Sequence, residues 1–201
     1  MREIIAFKMA GDRMHLAFWV PYEFFVAAGW AKGVRSMDEA EEELAILKPY
    51  VVIVAQAQTE RADGTKEYAS EEEIRSRAVL RLLDGTGIKP LETIPTKISA
   101  VLGAMKGAMS AQGTQAKKMH VLVFPAKHQG KSVVNTARRD KLVLVLKANG
   151  GYAETVFTWR TPFDAVAPAA PCAKCGGEMS ARWSYCPWCG AKAPALAPGA
   201  E

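Results

Sequence analysis

The spacing of apolar residues along the chain predicts an alternation of short strands and helices. Continuous or alternating apolar runs predict strands at residues 4–9, 14–20, 50–54, 119–124, 142–146 and 152–159. Gln56 to Arg61 continues the third run with alternating polarity. Ala10-Gly11-Asp12-Arg13 joins the first two strands into a hairpin, and Asn149-Gly150 predicts a second hairpin with a type I′ turn.

Helix-starting signals fall between these strands. Ser36 and Ser70 each stand three residues before a glutamate, which is the pattern of a capping box. We predict helices at residues 22–30, 37–47, from 71 to a C-cap at Gly85, at 96–111 and, shorter, at 132–139. Gly103 and Gly107, four residues apart on the fourth helix, predict a close approach of another backbone in the core.

This order of elements favours an α+β fold, with a mixed sheet, hairpins and several packed helices, followed by a small C-terminal zinc ribbon. We place the α+β main domain at residues 1–164. Pro and Ala dominate residues 165–171, which predicts a semi-rigid linker. The cysteine module occupies 172–192, and 193–201 is expected to be a disordered tail.

Charge is unevenly distributed along the chain. The formal net charge is +5, but residues 36–85 hold 12 acidic and 6 basic side chains, whereas residues 86–150 hold 11 basic and 2 acidic ones. Such blocks are typical of solvated surfaces, and the basic block is also compatible with an anionic partner.

No apolar run reaches the roughly 20 residues of a membrane span. Lys8, Asp12 and Arg13 interrupt the N-terminal segment, so we expect no signal peptide and a cytoplasmic protein.

All four cysteines lie in one stretch, CAKCGGEMSARWSYCPWCG, residues 172–190. Cys172 and Cys175 form one C-x-x-C pair, and Cys186 and Cys189 form the other. Two residues between cysteines let one tight turn present two thiolates to a single ion, and two such turns complete a tetrahedral shell. A shell of four protein ligands has no open position, so the pattern predicts a structural metal site.

The two knuckles, CAKCG and CPWCG, resemble those of the zinc-ribbon family. The resemblance covers about a tenth of the chain and implies one structural Zn²⁺. Iron is the less favoured alternative, because the second knuckle also resembles rubredoxin and four tetrahedral sulfurs suit both metals. Disulfides are disfavoured because the protein is expected to be cytosolic. A thioredoxin-like redox pair should follow a strand and open a helix, whereas both pairs here lie in a module rich in proline and glycine. Trp183, Tyr185 and Trp188 are interpreted mainly as the core of the module, with base stacking as the alternative.

The basic loop at residues 125–132 is the other candidate site. It ends in Gly130-Lys131-Ser132, but Pro125 stands where a phosphate-binding loop needs glycine, so nucleotide hydrolysis is disfavoured. An anion site remains possible there. Its candidate residues are Lys127, His128, Lys131, Arg138 and Arg139.

We therefore expect a zinc-binding, non-enzymatic binding or assembly protein whose tethered ribbon docks a macromolecular partner, either protein or nucleic acid. No catalytic residue is assigned. The alternative is an enzyme or small-ligand protein with an anion-binding pocket near residues 125–132 and a purely structural ribbon.

Overall fold

The structure, a computed structural model, describes residues 3–31, 36–111, 116–163, 169–181 and 183–193. The chain divides into two compact units. The first comprises Met1–Val133 and Val143–Thr158, and the second comprises Val134–Leu142 and Trp159–Glu201. Most of the predicted tail, residues 194–201, and part of the predicted linker, residues 165–168, lie outside the described residues, as does Asp164, the last position of the predicted main domain.

The described elements are short strands with four α-helices. The helices are α1 (Tyr22–Ala31), α2 (Met37–Leu44), α3 (Glu71–Arg77) and α4 (Thr96–Ser110), with 3-10 turns at Ala45–Leu47 and Ala116–Lys118. The strands are β1 (Ile5–Ala10), β2 (Arg13–Val20), β3 (Tyr50–Glu60), β4 (Lys66–Tyr68), β5 (Ala78–Arg81), β6 (Gly87–Ile88), β7 (His120–Pro125), β8 (Lys127–His128), β9 (Lys131–Ser132), β10 (Asp140–Leu146), β11 (Thr155–Thr161), β12 (Ala170–Pro171) and β13 (Glu178–Met179). Within the described residues, no helix combines the length and apolar character needed to span a membrane.

The long strand β3 organises the larger sheet. It pairs with β2 on one side and with β4 and β7 on the other, and β1 extends the sheet beyond β2. A second sheet has the order β11-β10-β5-β6. Every pairing whose register is defined is antiparallel. The α+β class is therefore supported, and the sheets are mostly antiparallel where a mixed sheet was predicted.

The two faces of the larger sheet carry different side chains. Because directly paired residues point to the same face, the register sets Val52, Val54 and their partners on one face and His15 and Ala57 on the other. The first face packs against α4 through Ile98 and Leu102, in one buried apolar cluster with Val20, Val121 and Val123. The spacing of Ile98, Leu102 and Met105 in the sequence predicts one apolar face on this helix, and the packing confirms it.

Gly103 and Gly107 do not support the predicted close approach. A Cβ atom built on either glycine meets no atom within 4 Å among the described residues. The small-residue spacing is thus not explained by packing against another backbone.

The helix predicted from residue 71 to Gly85 is shorter than expected. It ends at Arg77, and Ala78, Val79 and Leu80 continue as β5, where they pair with Leu146, Val145 and Leu144 of β10. A short apolar run fits a buried helix and a buried strand equally well, and strand pairing decides between them here. Gly85, with φ of 87°, belongs to the turn between β5 and β6.

Two other local predictions are wrong. Residues 132–139 form no helix, because Lys131 and Ser132 pair with β8 and turns follow. Asn149-Gly150 is not a two-residue turn, since β10 ends at Leu146 and β11 begins at Thr155. Asn149 instead accepts hydrogen bonds from the amides of Gly151 and Tyr152 through its side-chain oxygen.

The capping boxes are confirmed in full at α2 and in half at α3. Ser36 and Glu39 make both reciprocal bonds. Ser70 Oγ accepts from the Glu73 amide at 3.1 Å.

We predict that Ser70→Ala lowers the free energy of unfolding by about 1 kcal/mol, because it leaves that amide without its side-chain partner. Ser70→Asp, which keeps an acceptor, should retain most of the stability in urea titration. Equal losses in both variants would contradict the role of the cap.

Candidate metal centre

Two backbone knuckles in the second unit present the four cysteine side chains. In the first, the Gly176 amide donates to the Cys172 carbonyl at 2.8 Å, and in the second the Gly190 amide donates to the Cys186 carbonyl at 2.9 Å. Both glycines have positive φ, 71° and 69°. Side chains with a Cβ rarely adopt that conformation, which explains why glycine follows each C-x-x-C pair.

Each knuckle is held by a short antiparallel ladder. β12 pairs with β13 across the first knuckle, and the Cys172 amide donates to the Gly177 carbonyl at 2.8 Å. Across the second, Tyr185 and Lys192 form a bridge, and the Cys186 amide donates to the Ala191 carbonyl at 2.7 Å. Part of the segment predicted as linker is thus a strand of the module, because Ala170 and Pro171 form β12.

The four sulfur atoms converge with the spacing of a tetrahedral metal site. All lie within 4.8 Å of one another, and none forms a disulfide. The Cys172 and Cys189 sulfurs are 3.8 Å apart, and those of Cys175 and Cys186 are 3.6 Å apart. A regular tetrahedron with metal–sulfur bonds of about 2.3 Å places its sulfurs about 3.8 Å apart. The cluster can therefore hold one metal ion.

The electrostatics of the thiols also fit a cation. Backbone amides of Cys175 and Lys174, with smaller contributions from neighbouring thiols, lower the pKa of Cys172 to about 6. The Gly177 amide acts to lower the pKa of Cys175, but contacts with the other three thiols together with desolvation raise that pKa to about 12. One thiol ionises readily while its neighbour resists, since adjacent thiolates repel. A divalent cation among the sulfurs removes this repulsion.

The donor set defines what the centre can do chemically. If all four cysteines bind the ion, they fill a tetrahedral shell and leave no position for water or substrate, which is typical of structural metal sites. Four tetrahedral thiolates suit both zinc and iron, so the geometry supports a metal without identifying it.

The aromatic side chains of the module were predicted mainly as its core, and this prediction is wrong. Trp188 is 71% exposed, Tyr185 is 61% exposed and Trp183 is 41% exposed. The buried cluster consists of Cys172, Met179 and Cys186, with Cys189, Ala191 and Ala193 packed against it. Cys172 and Cys186 thus lie in the interior, whereas Cys175 and the three rings lie at the surface.

Gly177 is a structural requirement that the sequence pattern did not single out. A Cβ at this position would lie 2.4 Å from Cδ1 of Trp188, so the indole packs directly over the glycine. The Trp188 Nε1 donates to the Glu178 carbonyl at 3.3 Å. The second glycine of Gly176-Gly177 was the available signal, because the first alone satisfies the knuckle.

The basic loop does not form a phosphate-binding loop. Lys127 and His128 pair with Lys131 and Ser132 in a two-stranded hairpin, turned by Gln129 and Gly130 with φ of 50° and 77°. No helix follows Ser132 to direct amide groups at a phosphate.

Arg138 and Arg139 belong to the second unit. The Arg138 carbonyl accepts from Thr161 Oγ1 at 2.7 Å, and the Arg139 guanidinium donates to the Trp183 carbonyl. An anion site composed of this arginine pair and the loop remains a prediction.

Comparisons with known proteins add little to this picture. No protein-family model and no curated protein matches the chain. A similar solved structure is the crystal structure of a DUF4426 family protein from Pseudomonas aeruginosa PAO1, with a TM-score of 0.35 and 15% identity. The match covers 80% of this chain and 95% of that one. A TM-score this low supports no statement about fold or function.

We predict that Cys186→Ala abolishes stoichiometric metal binding, because it removes a buried ligand from a four-sulfur shell. Elemental analysis of the freshly purified protein should give about one equivalent of zinc plus iron, and well below half an equivalent in the variant. Ser184→Ala, two residues away and exposed, is the matched control and should keep its metal. Full metal occupancy in Cys186→Ala would contradict the site.

Proposed function

We propose that the cysteine module is a zinc ribbon and that the protein is a non-enzymatic binding protein whose ribbon docks a macromolecular partner. Zinc is preferred to iron because the paired C-x-x-C-G knuckles resemble zinc ribbons at both ends. The exposure of three aromatic rings on so small a module carries this proposal. Residues that fold a module are normally buried, and these three instead face solvent.

Among macromolecular partners, the chemistry of this surface favours single-stranded nucleic acid. Aromatic rings stack on bases of any sequence, provided that nearby cations meet the phosphates. Lys174 and Lys192 are exposed in the module, and Glu178 is its one acidic residue among those described at 169–181 and 183–193. Lys192 pairs with Tyr185, so a cation and a ring occupy neighbouring positions. A protein partner is the alternative outcome.

We predict that Trp188→Ala and Tyr185→Ala each weaken binding of a fluorescein-labelled single-stranded DNA. Loss of one stacked base corresponds to about 1–3 kcal/mol, or roughly 5- to 150-fold in the dissociation constant measured by fluorescence anisotropy. Affinity should also fall as salt rises, because phosphate binding by lysine releases counterions. Each variant must first be shown to retain its metal.

Phe7→Ala is the matched control for this experiment. Phe7 is an aromatic residue of β1 that is 52% exposed, and it lies in the first unit. Its replacement should leave DNA affinity within about twofold. If wild-type protein does not bind DNA, or if the ribbon variants bind as well as Phe7→Ala, the nucleic-acid proposal fails. A partner captured in a salt-insensitive, Trp188-dependent manner would instead identify a protein.

A further inference from the structure

A second cluster of polar groups lies in the first unit, around the ring of Tyr152. The Arg77 guanidinium carbon is 4.7 Å from the ring centroid, and that of Arg13 is 5.4 Å from it. The His15 ring meets the Tyr152 ring edge-on, with centroids 5.4 Å apart and an interplanar angle of 72°. Three nitrogen-bearing side chains thus surround one buried aromatic ring.

Three different elements bring these residues together. Arg13 and His15 are two residues apart on β2, so both project from the same face of the sheet. Arg77 is the last residue of α3. Tyr152 lies in the connection from β10 to β11, where its amide donates to the Asn149 side chain at 2.8 Å. The arrangement depends on tertiary structure, which is why no sequence motif marks it.

One nitrogen atom of each of the three side chains lacks a hydrogen-bond partner in the structure. These atoms are Nη1 of Arg77, Nε of Arg13 and Nε2 of His15, each shielded from solvent and without a hydrogen bond. Arg77 and His15 are only 3% and 2% exposed. Buried polar atoms without a partner are rare in folded proteins, and an ion or water often accounts for them.

Arg77 is fixed in place by its other nitrogens. Its Nε donates to the Lys147 carbonyl at 2.7 Å, and its Nη2 donates to the Ala153 carbonyl at 3.2 Å. Nη1 is therefore the one nitrogen of the Arg77 guanidinium without a hydrogen bond. Glu73, four residues earlier on α3, accepts a hydrogen bond from the Asn149 side chain at 2.9 Å.

Negative charge near the cluster is sparse. Burial lowers the pKa of Arg77, and the charge of Glu73 offsets only part of that effect. Asp12 approaches Arg13 Nε only to 3.9 Å, with most of its own side chain exposed. Burial, followed by the charges of Arg77 and Arg13, lowers the pKa of His15 to about 4, so that this ring is neutral at pH 7. The cluster therefore carries two positive charges, those of Arg13 and Arg77, which Asp12 and Glu73 balance only in part.

The neutral histidine can also serve as a donor. The Thr155 hydroxyl lies 3.4 Å from His15 Nδ1 and also 3.4 Å from the Ala153 carbonyl, so its single hydrogen can go to either acceptor. When it goes to Nδ1, the ring hydrogen is on Nε2, and all three of these nitrogens are N–H donors. Guanidinium and imidazole N–H groups without acceptors match the oxygens of a phosphate or carboxylate group.

We propose that the cluster of Arg13, His15, Arg77 and Tyr152 binds a small oxyanion, as a free ion or as the phosphate or carboxylate group of a larger ligand. Arg77 and His15 form the floor of the site. Arg13, whose side chain is 37% exposed, forms its solvent side and is the residue that moves to admit the ligand. This site is independent of the metal centre and of the proposed docking surface.

The test is a titration of the full-length, metal-loaded protein with inorganic phosphate and, separately, with acetate, both against chloride at matched ionic strength. Nuclear magnetic resonance of the arginine Nε–H and histidine ring signals reports on the cluster directly. We expect saturable shifts at Arg13, His15 and Arg77 with at least one oxyanion and none with chloride. Phosphate alone would identify a phosphoryl ligand, and acetate alone would identify a carboxylate ligand.

Variants test which residues bind the ion. Arg13→Gln removes one charge-assisted donor from a half-exposed position and should weaken oxyanion binding about tenfold. Lys97→Gln is the charge-matched control, since α4 packs against the opposite face of the sheet, and it should change the affinity less than twofold. Arg77 is not replaced, because it also holds the carbonyls of Lys147 and Ala153.

The absence of a saturable shift with either oxyanion in the wild-type protein would overturn the proposal, and this result needs no variant. Equal affinity in Arg13→Gln and Lys97→Gln would overturn it as well. Loss of DNA binding by the ribbon has no bearing on this site, so the two proposals fail independently.

Discussion

The convergence of four cysteine sulfurs is the constraint on which the C-terminal module depends. The interior around them contains little else, because Met179 is the one large apolar side chain buried with Cys172 and Cys186 among the residues described there. So few apolar contacts cannot offset the conformational entropy of ordering two knuckles, and a metal–thiolate cage can. The metal thus takes the place that a hydrophobic core has in a larger domain.

This substitution explains the surface of the module. Because cysteine side chains and Met179 fill the interior, the aromatic rings are not needed there, and Trp188 and Tyr185 are largely exposed. The Trp188 ring packs directly over Gly177. The cysteines that fold the module and the exposed rings that we propose as its docking surface therefore alternate within the same loops.

Sequence reasoning succeeded where the determining interactions are local. The C-x-x-C-G knuckles, the Ser36 cap and the apolar stripe of α4 each depend on residues a few positions apart. It failed where distant pairing decides. Ala78–Leu80 become a strand because β10 lies beside them, and Arg77 consequently faces Tyr152 instead of solvent. The aromatics were misassigned because burial cannot be inferred from residue type alone when a metal can replace the core.

X-ray absorption spectroscopy at the zinc edge of the purified full-length protein tests the central claim most directly. A closed four-thiolate cage predicts a single shell of four sulfur atoms at about 2.3 Å, with no oxygen or nitrogen ligand. A shell with fewer than four sulfurs, or with a lighter atom at about 2.0–2.1 Å, would contradict the account. The module would then have an open coordination position, and its metal would be available for chemistry.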